Sequence, residues 1–216
     1  MPQKINPLPP EMPIRAIVAL GNPGKKYAET RHNIGWAVLD ELLASGMVRP
    51  FIWQQKFNGE FAKTWLGDVE LLLLKPGTFM NLSGHPTQAM SQFFGLKPEE
   101  ILVLHDDLDL PFGRVQLKAG GGHGGHNGLR SLHAQVGDAY ARVRIGIGRP
   151  EGKNDVVDYV LQPFSPMERA ELPDVLLKAQ KAIEACVQLK VRAAMNVVNA
   201  QPKSETLPKG ETPPKN

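Results

Sequence analysis

The sequence predicts an α/β fold, because strand-sized apolar runs alternate with amphipathic helical patterns along most of the chain. With 216 residues, of which 42% are hydrophobic, the chain is long enough to bury one substantial core. We therefore predict a single α/β domain over residues 14–199. Residues 1–13 form a proline-rich extension that is expected to be flexible, and residues 200–216 form a tail that is expected to be disordered.

The first third of the domain contains a strand, a helix and a hairpin. Residues 14–20 are continuously aliphatic and stop at Gly21-Asn22-Pro23-Gly24, which is typical of a buried strand that ends in a turn. Residues 34–44 place apolar side chains three and four positions apart, as an amphipathic helix does. Two strands are expected at 57–65 and 69–74, with a tight turn at Gly67-Asp68 between them.

The middle of the domain repeats the alternation. A helix is predicted over 83–94 and an apolar strand over 101–105, which ends in a carboxylate cluster. A strand near 115–117 leads into the glycine-rich loop 120–125. A helix is expected over 127–136, and residues 142–147 alternate arginine with aliphatic side chains, as in a half-buried strand.

The last part of the domain is helical. Ser165-Pro166-Met167-Glu168 combines an N-cap serine, a proline at the first helical position and a glutamate at the third, so a helix begins there. Pro173 is a candidate interruption of that helix. The apolar pattern over 175–198 then predicts one long C-terminal helix.

Composition limits the class of protein. The apolar runs are far shorter than the roughly 20 residues that span a bilayer, and the N-terminus lacks the apolar segment of a secretory signal. The single cysteine, Cys186, excludes an intramolecular disulfide and suits a reducing cytosol. Because it lies in an aliphatic helical pattern, we expect it to be buried packing. The chain is expected to be cytoplasmic, without a membrane segment.

Charge is distributed unevenly. The net charge is only +3, but residues 112–149 carry six Lys or Arg side chains and one acidic side chain, Asp138. Such a cluster fits either a solvated face with ion pairs or an anionic partner, and charge alone does not choose between them.

Polar clusters follow the predicted strands, where open α/β sheets bind their ligands. His32 lies close to a helix N-terminus, whose partial positive charge favours the neutral imidazole of a general base. Asp106 is the best-placed carboxylate to orient it, although His32 is also compatible with a structural role. The amides of Asn22, Asn81 and Asn127 suit a carbonyl or oxyanion, yet each could be a turn or cap residue, and Asn127 could N-cap its helix.

A metal site is the alternative interpretation of the acidic and histidine residues. Adjacent acids on a strand point to opposite faces, and the two histidines beyond them lie in a flexible glycine loop. We therefore predict no metal, and we expect Asp107 to be solvent-exposed or to cap a turn. The residues considered for this site are His105, Asp106, Asp107, Asp109, His123 and His126.

Other catalytic motifs are absent from the sequence. It contains no G-x-S-x-G serine elbow, no P-loop and no G-x-G-x-x-G after the first strand, so water is the expected nucleophile. Lys118, before the glycine loop, and Arg144, in the alternating strand, could hold a phosphate as a point charge and a planar fork.

Six segments closely resemble bacterial peptidyl-tRNA hydrolase, in the same order and spacing across roughly residues 14–199. They are Gly21-Asn22-Pro23-Gly24 with Tyr27; Thr30-Arg31-His32-Asn33-Ile34-Gly35; Pro76-Gly77-Thr78-Phe79-Met80-Asn81-Leu82-Ser83-Gly84; His105-Asp106-Asp107-Leu108-Asp109-Leu110-Pro111; Gly120-Gly121-Gly122-His123-Gly124-Gly125-His126-Asn127-Gly128-Leu129; and Arg144-Ile145-Gly146-Ile147-Gly148.

The resemblance implies a monomeric domain with a twisted mixed β-sheet flanked by helices. It also implies cleavage, without a cofactor, of the ester between a peptide and the 3′-terminal ribose of tRNA. The implied catalytic residues are His32 as base, Asp106 as its support, and Asn22. The implied substrate contacts are Tyr27, Phe79, Asn81 and Asn127, and the implied clamp for the tRNA 5′-phosphate consists of Lys118 and Arg144.

Two other functions stay open at this point. One is an RNA-binding protein on the same scaffold without hydrolytic activity, since fold alone does not determine function. The other is a general small-molecule esterase, which would use the same base and water but would gain nothing from Lys118 and Arg144.

Overall fold

A computed structural model describes residues 11–150 and 156–200 of the chain. Most of the predicted N-terminal extension and all but the first residue of the predicted tail therefore lie outside the described residues. Within the described ranges, no helix has the length and apolar character needed to cross a membrane.

A seven-stranded mixed sheet forms the centre of the domain, in the order β2-β3-β4-β1-β5-β7-β6. The neighbours of β1, which are β4 and β5, run parallel to it, and β7 runs parallel to β5. The pairs β2–β3, β3–β4 and β6–β7 are antiparallel. The strands are β1 (Ala16–Ala19), β2 (Gln54–Lys56), β3 (Gly59–Leu66), β4 (Val69–Pro76), β5 (Ile101–Asp107), β6 (Val115–Ala119) and β7 (Ala141–Gly146).

Helices cover both faces of the sheet, which confirms the predicted fold class. On one face, α1, α5 and α6 pack with side chains such as Val38, Leu104 and Ile183. On the other face, α2 and α3 bury Met90 and Leu132. The helices are α1 (Ile34–Ala44), α2 (Gly84–Phe94), α3 (Asn127–Val136), α4 (Val156–Val160), α5 (Pro166–Leu189) and α6 (Val191–Val198). Short 3₁₀ turns lie at Lys25–Tyr27, Arg31–Asn33, Met80–Leu82 and Pro98–Glu100.

The C-terminal helical region differs from the prediction. Helix α5 continues through Pro173, because the buried face that follows, which includes Val175 and Ile183, stabilises the helix against the roughly 3 kcal/mol cost of an internal proline. The predicted single helix over 175–198 is wrong: the chain breaks at Lys190, whose φ is +67°, and α6 begins after it.

Cys186 lies in α5 and is completely buried, as expected. Burial raises the pKa of its thiol to about 12, so the thiol is protonated at neutral pH.

Candidate active site

The parallel strands β1, β4, β5 and β7 end at the same edge of the sheet, and their loops enclose a cavity of about 570 Å³. Eight of the nine predicted site residues line it, so residues distant in sequence do converge here. These are Asn22, His32, Phe79, Asn81, Asp106, Lys118, Asn127 and Arg144. The ninth, Tyr27, lies outside this lining, with its ring edge-on to Phe79 at 6.2 Å between centroids.

His32 and Asp106 form the buried polar pair of the cavity. The Nδ1 atom of His32 is 2.9 Å from Oδ1 of Asp106, and both side chains are almost fully buried. Burial lowers the pKa of His32, but the charge of Asp106 and the hydrogen bond to it outweigh that effect and hold the pKa above its ordinary value. Burial raises the pKa of Asp106, and the two histidines beside it bring the net pKa well below the usual range.

Arg31 fixes the 3₁₀ turn that carries His32. Its buried guanidinium donates to the carbonyl of Pro163 at 2.9 Å and pairs with Glu168 at 2.6 Å. The guanidinium carbon also lies 4.3 Å from the centre of the Tyr159 ring. The His32 turn is therefore attached to the segment between α4 and α5, a role that the sequence did not indicate.

His126 is a second histidine on Asp106, and the sequence indicated it only as a possible metal ligand. Its Nε2 atom lies 2.9 Å from the same Oδ1 atom of Asp106. Its Nδ1 atom accepts the backbone N–H groups of Gly128 and Leu129 at 3.1 and 3.3 Å, so His126 is the N-cap of α3. The alternative that Asn127 caps this helix is wrong, since Asn127 is already its first residue.

The hydrogen bonds that cap α3 determine which ring nitrogen of His126 carries the proton. Because Nδ1 accepts two N–H groups, the neutral ring carries its hydrogen on Nε2 and donates it to Asp106. The three ligand atoms of His32, Asp106 and His126 lie within 4.8 Å of one another, as a metal site would require. A metal would need the Nε2 lone pair that this proton occupies, so the bonding favours a hydrogen-bonded cluster over a metal site.

Asn22 is held so that its amide nitrogen is free. Its Oδ1 atom accepts the N–H of Met80 at 2.8 Å, which leaves Nδ2 as the donor group. The side chain of Asn33 accepts the N–H of Asn22 at 2.9 Å and donates to its carbonyl at 3.0 Å. Within the described residues, Nδ2 of Asn22 donates to none, so it is available to a group in the cavity.

Asn81 and Asn127 are the more exposed amides of the site. Both line the cavity, and Oδ1 of Asn127 accepts from Arg130 at 3.2 Å. Phe79 exposes about half of its side chain (54%) beside Asn81. These side chains can meet a ligand without first losing a buried contact.

The two predicted phosphate ligands lie on one face of the sheet. In the β6–β7 register Lys118 is opposite Arg142 and Gln116 is opposite Arg144, so all four side chains project to the same side. Arg144 is already ordered, with Nε 2.7 Å from Asp107. Asp107 also accepts the N–H of Asp109, so it caps a turn, which was one of the two expectations for this residue. The other expectation, that Asp107 is solvent-exposed, is wrong, because the residue is half-buried.

Arg142 fixes the glycine-rich loop. Its buried guanidinium donates to the carbonyl oxygens of Gly120, Gly121 and Gly122, with distances of 3.0 Å to the last two. Gly120 and Gly121 have φ values of +59° and +88°, in the left-handed region that glycine adopts readily. The alternation of arginine with aliphatic residues indicated this strand, but neither the burial of Arg142 nor its contact with the loop was predicted.

Comparison with known proteins identifies the family of the chain. The family model described as Peptidyl-tRNA hydrolase matches residues 16–206. The chain belongs to the peptidyl-tRNA hydrolase family. The resemblance stated from the six segments is thereby confirmed.

Relatives and solved structures cover most of the chain. The peptidyl-tRNA hydrolase of Sorangium cellulosum is 47% identical over 90% of this chain and 88% of its own length. A peptidyl-tRNA hydrolase solved as a complex with N-propanol is 38% identical with a TM-score of 0.81, covering 88% of this chain and 97% of that one. The enzyme of Acinetobacter baumannii is 39% identical with a TM-score of 0.78, over 87% and 95%.

Proposed function

We propose that this protein hydrolyses the ester bond between a peptide, or an N-blocked amino acid, and the 3′-terminal ribose of tRNA. The observation that carries the proposal is the buried contact of 2.9 Å between His32 Nδ1 and Asp106 Oδ1, placed in a cavity beside a free amide donor. Membership of the peptidyl-tRNA hydrolase family supports the substrate class.

His32 acts as the general base. Because its Nδ1–H donates to Asp106, its Nε2 lone pair is left to accept a proton from water. The water oxygen bonds to the ester carbonyl carbon as the proton moves to Nε2. When the ester C–O bond breaks, the ribose oxygen leaves and takes that proton from the imidazolium, which regenerates the neutral base.

Asn22 stabilises the oxyanion. Its Nδ2 group is oriented by the Met80 N–H bond and can donate to the carbonyl oxygen as that oxygen becomes negative. Removal of one such donor typically lowers the rate by about 10²–10³-fold. Asn81, Asn127, Phe79 and Tyr27 contact the peptide and the 3′ end around this centre.

Lys118 and Arg144 bind the 5′-phosphate of the tRNA. They share one face of the sheet at the β6–β7 end of the cavity, and this arrangement gives an anionic ligand two cations of different geometry. We further propose that the enzyme acts as a cytoplasmic monomer and requires neither a metal nor a cofactor.

The test is release of the amino acid from N-acetyl-aminoacyl-tRNA by the purified protein, with EDTA present and at two salt concentrations. We expect release to persist in EDTA, to decline with salt, and to nearly vanish in His32→Ala. His85→Ala is the matched control, because His85 is exposed on α2 and does not line the cavity. Intact tRNA binding without release would instead indicate an RNA-binding protein, and equal cleavage of uncharged esters would indicate a general esterase.

A further inference from the structure

The two predicted phosphate ligands differ in how firmly they are held. Lys118 is exposed, and its ammonium group lies on a flexible four-carbon stem. Arg144 is more enclosed, with 18% of its side chain exposed, and its guanidinium is bonded on two sides. The place at which a phosphate can bind therefore depends on the groups that orient Arg144.

Strand pairing places Asp107 beside Arg144. In the parallel β5–β7 register His105 is opposite Arg144, and Asp107 lies two residues further along β5, so it is on the same face. The Oδ2 atom of Asp107 accepts from Nε of Arg144 at 2.7 Å. Its other oxygen, Oδ1, accepts the N–H of Asp109 at 2.9 Å, so the carboxylate is itself fixed to the turn that follows β5.

Two bonds hold the guanidinium of Arg144 and leave its outer nitrogens available. Nε donates to Asp107, and Nη1 donates to Oε1 of Gln116 at 3.1 Å on the facing strand β6. Of the five N–H donors of an arginine, these bonds use two. Nη2 donates to no group within the described residues, so three donors remain on the two terminal nitrogens. They are sufficient for a bidentate contact with two oxygens of one phosphate.

Asp107 is ionised at neutral pH and is therefore a strong acceptor. Burial raises the pKa of its carboxyl, but the hydrogen bond from Arg144 and the other favourable contacts outweigh burial and hold the pKa below its usual range. A hydrogen bond between charged groups is roughly twice as strong as one between neutral groups. The pair is also largely shielded from solvent, with 15% of the Asp107 side chain exposed. Arg144 is thus ordered before any anion arrives.

We propose that Asp107 is a positioning residue for the 5′-phosphate of the tRNA, because it holds the Arg144 guanidinium with its terminal nitrogens free. The proposal rests on the proposed function and adds to it the group that orients a phosphate ligand. Asp107 directly follows Asp106 on β5, and Asp106 holds His32. Adjacent residues of one strand support the base and the phosphate ligand, so β5 fixes the distance between the reacting ester and the bound phosphate.

The experiment measures how much the 5′-phosphate contributes to hydrolysis. Release from N-acetyl-aminoacyl-tRNA is compared with release from the same substrate after a phosphatase has removed its 5′-phosphate, and the result is the ratio of the two kcat/KM values. A variant that is only less stable loses active protein for both substrates, so its ratio does not change. The ratio therefore reports on the phosphate contact separately from folding.

Asp107→Ala removes the acceptor for Nε of Arg144. The arginine side chain must then be ordered when the phosphate binds, and the ratio should fall by about fivefold, a typical effect of immobilising one long side chain. Asp109→Ala is the matched control, because Asp109 lies two residues away and its carboxylate bonds a different arginine, Arg149, at 2.5 Å. This variant keeps the backbone N–H that fixes Asp107, and its ratio should equal that of the unaltered protein.

A ratio that is unchanged or higher in Asp107→Ala, or an equal fall in Asp109→Ala, would overturn the assignment of Asp107. Equal cleavage of the two substrates by the unaltered protein would overturn it too, because there would be no phosphate contact for Asp107 to orient. Failure of the unaltered protein to release the amino acid from either substrate would instead refute the proposed function, so the two failures are distinguishable.

Discussion

Replacement of Asp106 by asparagine isolates the contribution of one negative charge to catalysis. The amide oxygen can still accept from both histidines at the position of Oδ1, so the geometry is conserved and the charge is lost. The ring and carboxylate charge centres are about 4 Å apart, where an effective dielectric constant of about 20 gives an interaction of about 4 kcal/mol. We therefore expect kcat to fall by about 10³-fold, because His32 becomes positively charged in the transition state.

The same variant should shift the pH profile in a defined direction. The base must be neutral, so kcat/KM falls as the pH drops through the pKa of His32. In Asp106→Asn, burial still lowers this pKa while the opposing charge is gone, and the acid limb should move to lower pH. The assay is release from N-acetyl-aminoacyl-tRNA across pH. Asp107→Asn is the control, because the carboxylate of Asp107 bonds Arg144 and Asp109. The acid limb of the pH profile should not move in this variant. An acid limb that stays in place in Asp106→Asn would refute the reasoning.

Three further changes test separate parts of the site. His126→Ala removes a helix cap worth about 1 kcal/mol and should lower the Tm by about 2–4 °C. His126→Asn should restore the cap and the Tm but not the contact with Asp106, so a full recovery of kcat in this variant would contradict a role for that contact in catalysis. Lys118→Ala should reduce the slope of log kcat/KM against log salt by about 1, and an unchanged slope would exclude a phosphate contact. Gly84→Ala places a methyl group 2.2 Å from the carbonyl oxygen of Ser131 and should lower the free energy of unfolding, measured in urea, by about 1–3 kcal/mol. Wild-type stability would show that α2 and α3 can separate at this contact.

The parts of the fold that the apolar pattern predicted are those whose side chains are buried, on one face as in α3 or on both faces as in β5. The strand at 101–105 and the helix at 127–136 both appear, because burial imposes a regular apolar pattern. Strand β2 was not predicted, since Gln54–Lys56 is a short polar edge strand with no such pattern. Lys190 was missed for a different reason: a lysine in the left-handed region carries no local signal, and only the packing of α5 and α6 determines that break.

In the candidate site, the sequence likewise could not predict which atoms of the two histidines form hydrogen bonds. The sequence indicates His32 as the base and His126 only as a possible metal ligand, whereas in the structure both reach the same oxygen of Asp106. They differ in what the other ring nitrogen does. The Nδ1 atom of His126 is occupied by two backbone N–H groups of α3, whereas Nε2 of His32 bonds to no described residue. Only His32 therefore has a lone pair to offer water, and the cap of α3, about 95 residues away in the chain, is what excludes His126 from the proposed role of base.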